Sequence, residues 1–151
     1  MKTTQTITFK LGYVDITDPC YDKTYWARLR GELPPGEYDY AANIDDVVKS
    51  ICILRKGWEG CAQSKFIGYI GVDAGLAGFF DNKPDYNDDE WLDVCNFIWK
   101  QHNKVCEAHL DNAMRCEGVF SSSGYGDGEY PVYQLVSDYT GVIVGYEIKF
   151  I

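Results

Sequence analysis

Three aspartates stand where a carboxylate can do chemistry: Asp73 in GVDAG, Asp81 closing GFFD, and Asp127 in GYGDG. Each sits beside glycine or an aromatic residue at an expected strand end, so the three can meet on one rim of a sheet. Convergent carboxylates bind a hard cation, accept hydrogen bonds from a cationic or amide-bearing ligand, or act as a general acid and base. A single aspartate in such a turn more commonly caps its own backbone. The most specific segment is SSSGYGDGEYPVY at 121–133, where Gly124, Gly126 and Gly128 allow positive φ and close backbone approach around Asp127. A plain hairpin would use the same glycines for turn geometry alone. The ligand-binding set read from these segments is Asp73, Asp81, Ser123, Tyr125, Asp127 and Tyr130, with no catalytic residue assigned.

Two other constellations carry less. Cys95, His102, Cys106 and His109 fall at spacings of seven, four and three, which on one helix would gather thiolates and imidazoles suited to Zn²⁺. Trp91, Ile98 and Val105 lie close to the same stripe, so a core-facing helix with cysteines as small hydrophobes explains these residues equally well. No metal or cofactor is assigned. Ser121, Ser122 and Ser123 precede the glycine turn, but only two histidines exist to activate them and no GxSxG elbow is present. A Cys106 pair with His102 or His109 would share a buried helix face, which does not favour a thiolate.

The elements that must position these residues follow from composition and pattern. A chain of 151 residues is the length of one domain, here 1–151, with room for a continuous core. Hydrophobic residues at 46% and aromatics at 15%, including 12 tyrosines, favour β-sheet and exclude disorder. A formal net charge of −9 repels phosphate backbones and disfavours direct nucleic-acid binding. The opening MKTTQTITFKLGYVDI lacks the apolar core of a signal peptide, and no window reaches membrane-spanning length. The expectation is a cytoplasmic protein with no membrane partner, whose six cysteines are free thiols.

Alternation at 6–10 and 13–16 predicts two short strands, and Asp18-Pro19 ends the second. Residues 21–31, with Tyr25, Trp26 and Leu29, read as a loop or helical turn. After the Pro34-Pro35-Gly36 turn come strands at 37–42, 47–54 and 66–72, then a brief extended return at 78–81. One helix is predicted around residues 88–109: Asn87 can cap it, and Asp88, Asp89 and Glu90 suit the positive end of its dipole. Its apolar stripe is Trp91, Val94, Cys95, Ile98, His102 and Val105. Three strands close the chain at 118–122, 130–137 and 142–150. The fold class is α+β: mostly antiparallel β-sheet of about seven to nine strands with one main α-helix.

Taken in order, Asp18-Pro19, LPPGEY at 33–38, IGVDAG at 70–75, Phe80-Asp81 and SGYGDGEYP at 123–131 resemble a family of bacterial and phage domains. Members of that family end in a glycine-rich turn followed by an aromatic hairpin. Order and spacing agree over about three-quarters of the chain. The family more often has Trp where Tyr125 stands, and the helix cysteines and histidines match no pattern in it. The resemblance implies that Asp73, Asp81 and Asp127 belong together, and it supplies no activity.

The reading is a small acidic binding protein that uses a rim built by the GVDAG, FFD and GYGDGEYP segments. Its partner is another protein or a small polar ligand. An inhibitor, immunity or anti-defence role fits a compact acidic chain of phage or bacterial origin. The alternative is a hydrolase using Asp73 and Asp127, with or without a divalent cation.

Overall fold

The computed structural model describes residues 5–101 and 103–151. Six strands lie side by side in the order β1 (Thr6–Phe9), β4 (Gly36–Ile44), β5 (Val48–Arg55), β11 (Ile143–Lys149), β10 (Gly128–Ser137) and β6 (Ala62–Val72). A second sheet runs β3 (Leu29–Glu32), β2 (Tyr13–Thr17), β7 (Leu76–Asp81), β9 (Glu117–Ser122) and β8 (Val105–Ala108). The pairings in both sheets are antiparallel, and α1 (Asp88–Trp99) is inserted between β7 and β8.

The side-chain period of two sorts the apolar residues into two cores. Ile7, Tyr38, Ile51, Ile53, Ile70, Val132, Tyr146 and Ile148 of the six-stranded sheet meet Val14, Ile16, Ala77, Phe79 and Val119 of the five-stranded one. The alternate residues Phe80 and Phe120 point the other way, into a second core with Val94 of α1, Cys106, Met114 and Cys116. The five-stranded sheet is therefore the middle layer of three, which explains why β7 and β9 read as continuous apolar runs. In that sheet Gly78 stands opposite Phe120 and Gly118 opposite Phe80, and the two rings lie 5.9 Å apart. Across the first core, the Tyr146 hydroxyl donates to Glu32 O at 2.5 Å, with its ring against Gly31 where any Cβ would collide.

The β-rich α+β class holds, with more strands than the seven to nine expected. The two additions are short edge pieces. β3 comes from the segment expected to be loop and pairs with β2. β8 comes from the segment expected to be helix. The helix begins as its residues dictate: Asn87 accepts from Glu90 N at 2.9 Å and its own N–H donates to the Glu90 carboxylate at 3.0 Å, a capping box. It ends at Trp99, not His109. Cys106 and Ala108 suit a strand period as well as a helical one, and the unpaired edge of β9 captures them opposite Phe120 and Gly118.

Buried charges tie the middle layer to its connections. Asp15 on β2, wholly buried, holds Arg28 Nη2 at 3.1 Å and Arg30 Nε at 3.0 Å, and accepts from Lys83 N at 3.1 Å. Lys83 is itself fully buried after β7, with Nζ donating to Pro84 O at 2.7 Å and lying 4.5 Å from the centre of the Tyr86 ring. None of the six cysteines is disulfide-bonded. Among the described residues no helix is long and apolar enough to cross a membrane.

At one end of β8, His109 is clamped between two carboxylates, Glu117 at 3.0 Å from Nδ1 and Glu107 at 2.8 Å from Nε2. Ionised carboxylates only accept, so a protonated His109 ring donates to both of them. The Glu117 hydrogen bond and, against the opposing effect of burial, the Glu107 bond raise the His109 pKa above its ordinary 6.5. A raised folded-state pKa adds stability that is complete below pH 6.5 and is lost as pH rises through the folded value. Because the side chain is 37% exposed, screening holds the effect under about 1 kcal/mol. His109→Gln is expected to lower the melting temperature more at pH 5.5 than at pH 8.5. An equal drop at both would show that the clamp carries no charge.

Candidate functional site

The last rung of the β6–β10 ladder is Val72 opposite Gly128. Asp73 and Asp127 are the next residues beyond that rung, so the two aspartates flank the end of one ladder. A methyl group built on Gly75, in the turn after Asp73, would lie 4.0 Å from Asp127 Oδ1. Both aspartates are exposed. Among the described residues neither has a basic side chain within ion-pair distance.

The turn that carries Asp73 is fixed from beneath by Asp18, a fully buried carboxylate. Asp18 Oδ2 accepts from the Asp73 and Ala74 amides at 2.8 and 2.6 Å, and Oδ1 accepts from Cys20 N at 2.9 Å. Three N–H donors satisfy a charge that has left water. Burial first, then the Asp18 charge, pushes the Cys20 thiol up to about 12, so it stays protonated at neutral pH and is no nucleophile.

The loop carrying Asp127 is braced by two residues that the sequence placed among the ligand contacts. Ser123 is fully buried; its hydroxyl donates to Gly126 O at 2.8 Å and its amide to Gly75 O at 3.0 Å. The Tyr130 hydroxyl also reaches Gly126 O, at 2.5 Å, with its ring edge-on to Phe150 at 5.1 Å. Both residues shape the loop. Gly124 is obligatory within it: its φ is +56°, and a Cβ there would press on Phe150 at 3.1 Å. Tyr125 stands free at the tip, 86% exposed.

Asp81 does not join this rim. It ends β7, whereas Asp73 precedes the start of the same strand, and a six-residue strand separates its ends by roughly 17–20 Å. There Asp81 Oδ2 accepts from Lys10 N at 3.2 Å, and burial raises its pKa against the backbone donors around it. Its neighbour across the sheet is Glu117, so it belongs to the His109 end. Of the three aspartates expected on one rim, Asp81 stands at the other end of β7, and Asp73 and Asp127 flank one ladder end.

Two clefts flank the Asp73 turn. On one side a groove of about 650 Å³ is lined by Ala74, Leu76, Trp91, Cys95, Ile98 and Trp99. On the other a cleft of about 380 Å³ is lined by Cys20, Tyr21, Asp22, Tyr25, Trp26 and Asp73. Tyr21 and Tyr25 stack at 4.1 Å, and Trp26 continues the stack 5.9 Å from Tyr25. Sequence reasoning leaves Tyr25 and Trp26 in a loop without a role. The available signal is three aromatics and an aspartate within the seven residues that follow Asp18-Pro19.

The helix-borne metal set is dismantled by the helix end. Cys95 is exposed on α1, Cys106 is buried on β8, His109 is held by its two glutamates, and His102 lies outside the described residues. Among the described residues no group of three or more His, Cys, Asp or Glu side chains is placed to hold a metal ion. The serine and histidine readings separate too: Ser121 and Ser123 donate to backbone carbonyls, and His109 sits at the Glu117 end of β9, away from Ser123. No protein-family model, curated protein or solved structure matches this chain.

Proposed function

We propose that the chain acts by binding, as a small acidic inhibitor, immunity or anti-defence factor, and that its partner presents a cationic face to the Asp73–Asp127 rim. The observation that carries this reading is the pair of exposed aspartates that flank the last rung of one ladder, on two loops braced by buried Asp18 and Ser123. A pre-set anionic rim gains affinity because little must be ordered on binding. The net charge of −9 extends the same field over the surface and steers basic partners to it. The phage or bacterial setting rests on the motif resemblance.

The test uses a lysine-rich peptide at low salt with the parent chain and the Asp73→Asn/Asp127→Asn double variant. Binding is expected to weaken roughly tenfold in the variant, the sum of two exposed charge interactions. Asp127→Ala alone should change stability by about 1 kcal/mol or less, as for other exposed loop side chains. Unchanged peptide binding together with a lowered melting temperature would make Asp127 a turn residue and remove the rim as a site.

A further inference from the structure

We propose that the Tyr21, Tyr25 and Trp26 cleft is a receptor for an arginine side chain presented by the partner. This deepens the binding reading by naming what the partner inserts beside the rim.

Four cation contacts show how the fold treats its other aromatic faces. Arg30 lies over Tyr13 at 4.1 Å, Lys83 and Arg115 over Tyr86 at 4.5 and 5.6 Å, and Lys149 over Tyr133 at 4.7 Å. Among the described residues no such cation covers Tyr25 or Trp26, although these rings are 41% and 79% exposed. Tyr21 and Tyr25 stack on each other at 4.1 Å and Trp26 continues the stack at 5.9 Å, so the stacking surface left for a ligand is on the Trp26 ring, the most exposed of the three.

The polar edge of the cleft decides which ligand fits. Asp22 and Asp73 contribute two negative charges, beside the hydroxyls of Thr24, Tyr21 and Tyr25 and the Trp26 indole N–H. A guanidinium is the complement in every respect: planar, donor-only, positively charged and weakly hydrated, it stacks on an aromatic face while its N–H groups reach carboxylates. An ammonium is compact and strongly hydrated and gains less from stacking. A sugar also stacks, but being neutral it gains nothing from the two carboxylate charges. The loop is also pre-set, because Ala27 O accepts from Gly71 N of β6 at 2.9 Å and Tyr25 N donates to Asp22 O at 3.0 Å.

The experiment titrates the full chain with blocked arginine amide, its uncharged isostere blocked citrulline amide, and methyl glucoside, following the Trp26 indole N–H by NMR. Arginine should shift that resonance, citrulline and the glucoside should not, and Trp26→Ala or Asp22→Asn should weaken arginine binding roughly tenfold, the scale of a desolvated cation–π contact. Trp26 is exposed enough that its loss leaves the fold intact, which an unchanged melting temperature will verify. Asp127→Ala should leave arginine binding within a factor of about two, since Asp127 does not line this cleft. Equal shifts with citrulline, a response to the glucoside, or no response to arginine would each overturn the proposal. If the rim variant still loses the lysine-rich peptide in that case, the binding reading stands without the arginine receptor.

Discussion

Asp18→Ala is expected to lower the unfolding free energy by about 3 kcal/mol, because three backbone donors lose one buried acceptor group together. Two of them belong to the turn that presents Asp73, so the variant should also lose rim and cleft at once. Asp18→Asn keeps the shape and one acceptor oxygen but turns an amide N–H₂ toward a donor, and should retain part of the stability. Chemical denaturation of the three chains checks the ranking. A loss below about 1 kcal/mol in Asp18→Ala would mean that water replaces the carboxylate, and that the turn is not fixed from within.

Lys83→Met is expected to gain stability relative to the parent at neutral pH, and that gain should shrink as pH rises. Burial, reinforced by the Arg28 charge, lowers the Lys83 pKa from 10.5 to about 8. Below pH 8 the folded state must hold a charge in a site that disfavours it. Between 8 and 10.5 that cost disappears, because the folded chain releases the proton first. Each pH unit between the folded and unfolded pKa values is worth about 1.4 kcal/mol, so the stability difference between variant and parent should fall by about 3 kcal/mol from pH 7 to pH 10.5. Tyrosines and cysteines that ionise in this range are common to both chains and drop out of the difference. A gap that stays constant with pH would show that Lys83 is charged throughout, compensated by partners beyond Pro84 O and the Tyr86 ring.

How much of this is legible in the sequence depends on the reach of the interaction. The strands at 36–44, 48–55, 128–137 and 143–149 follow from local alternation and turn residues, and the helix start follows from Asn87 and Glu90, three residues apart. The helix end does not, because residues 105–108 satisfy two periods and the choice is made by β9, a strand whose sequence lies beyond them. Asp73 and Asp127 flank one ladder whose two strands are each recognisable from local pattern, whereas their pairing is a long-range fact that the pattern does not carry. Asp81 is misplaced by its sequence because GFFD looks like a short return, whereas Leu76–Asp81 is one continuous strand with an aspartate at its far end. The aromatic cleft is hidden, since its ring stack depends on the chain reversal after Asp18 and on the Ala27 bond to β6.

The middle layer poses a problem of alignment that its glycines solve. In a sheet with one wet face, a one-residue slip is forbidden because it buries polar side chains. β7 and β9 are apolar on both faces, so a slip would merely exchange Phe79 for Phe80 between the two cores and polarity would not resist it. Shape does. A Cβ at Gly78 would strike Val119 O and the Phe120 α-carbon, and one at Gly118 would strike Phe79 O, so each glycine is a notch that admits only the residue now opposite it. Two notches set on opposite strands act as a key, and they fix the phase of the strand whose first residue follows the Asp73 turn.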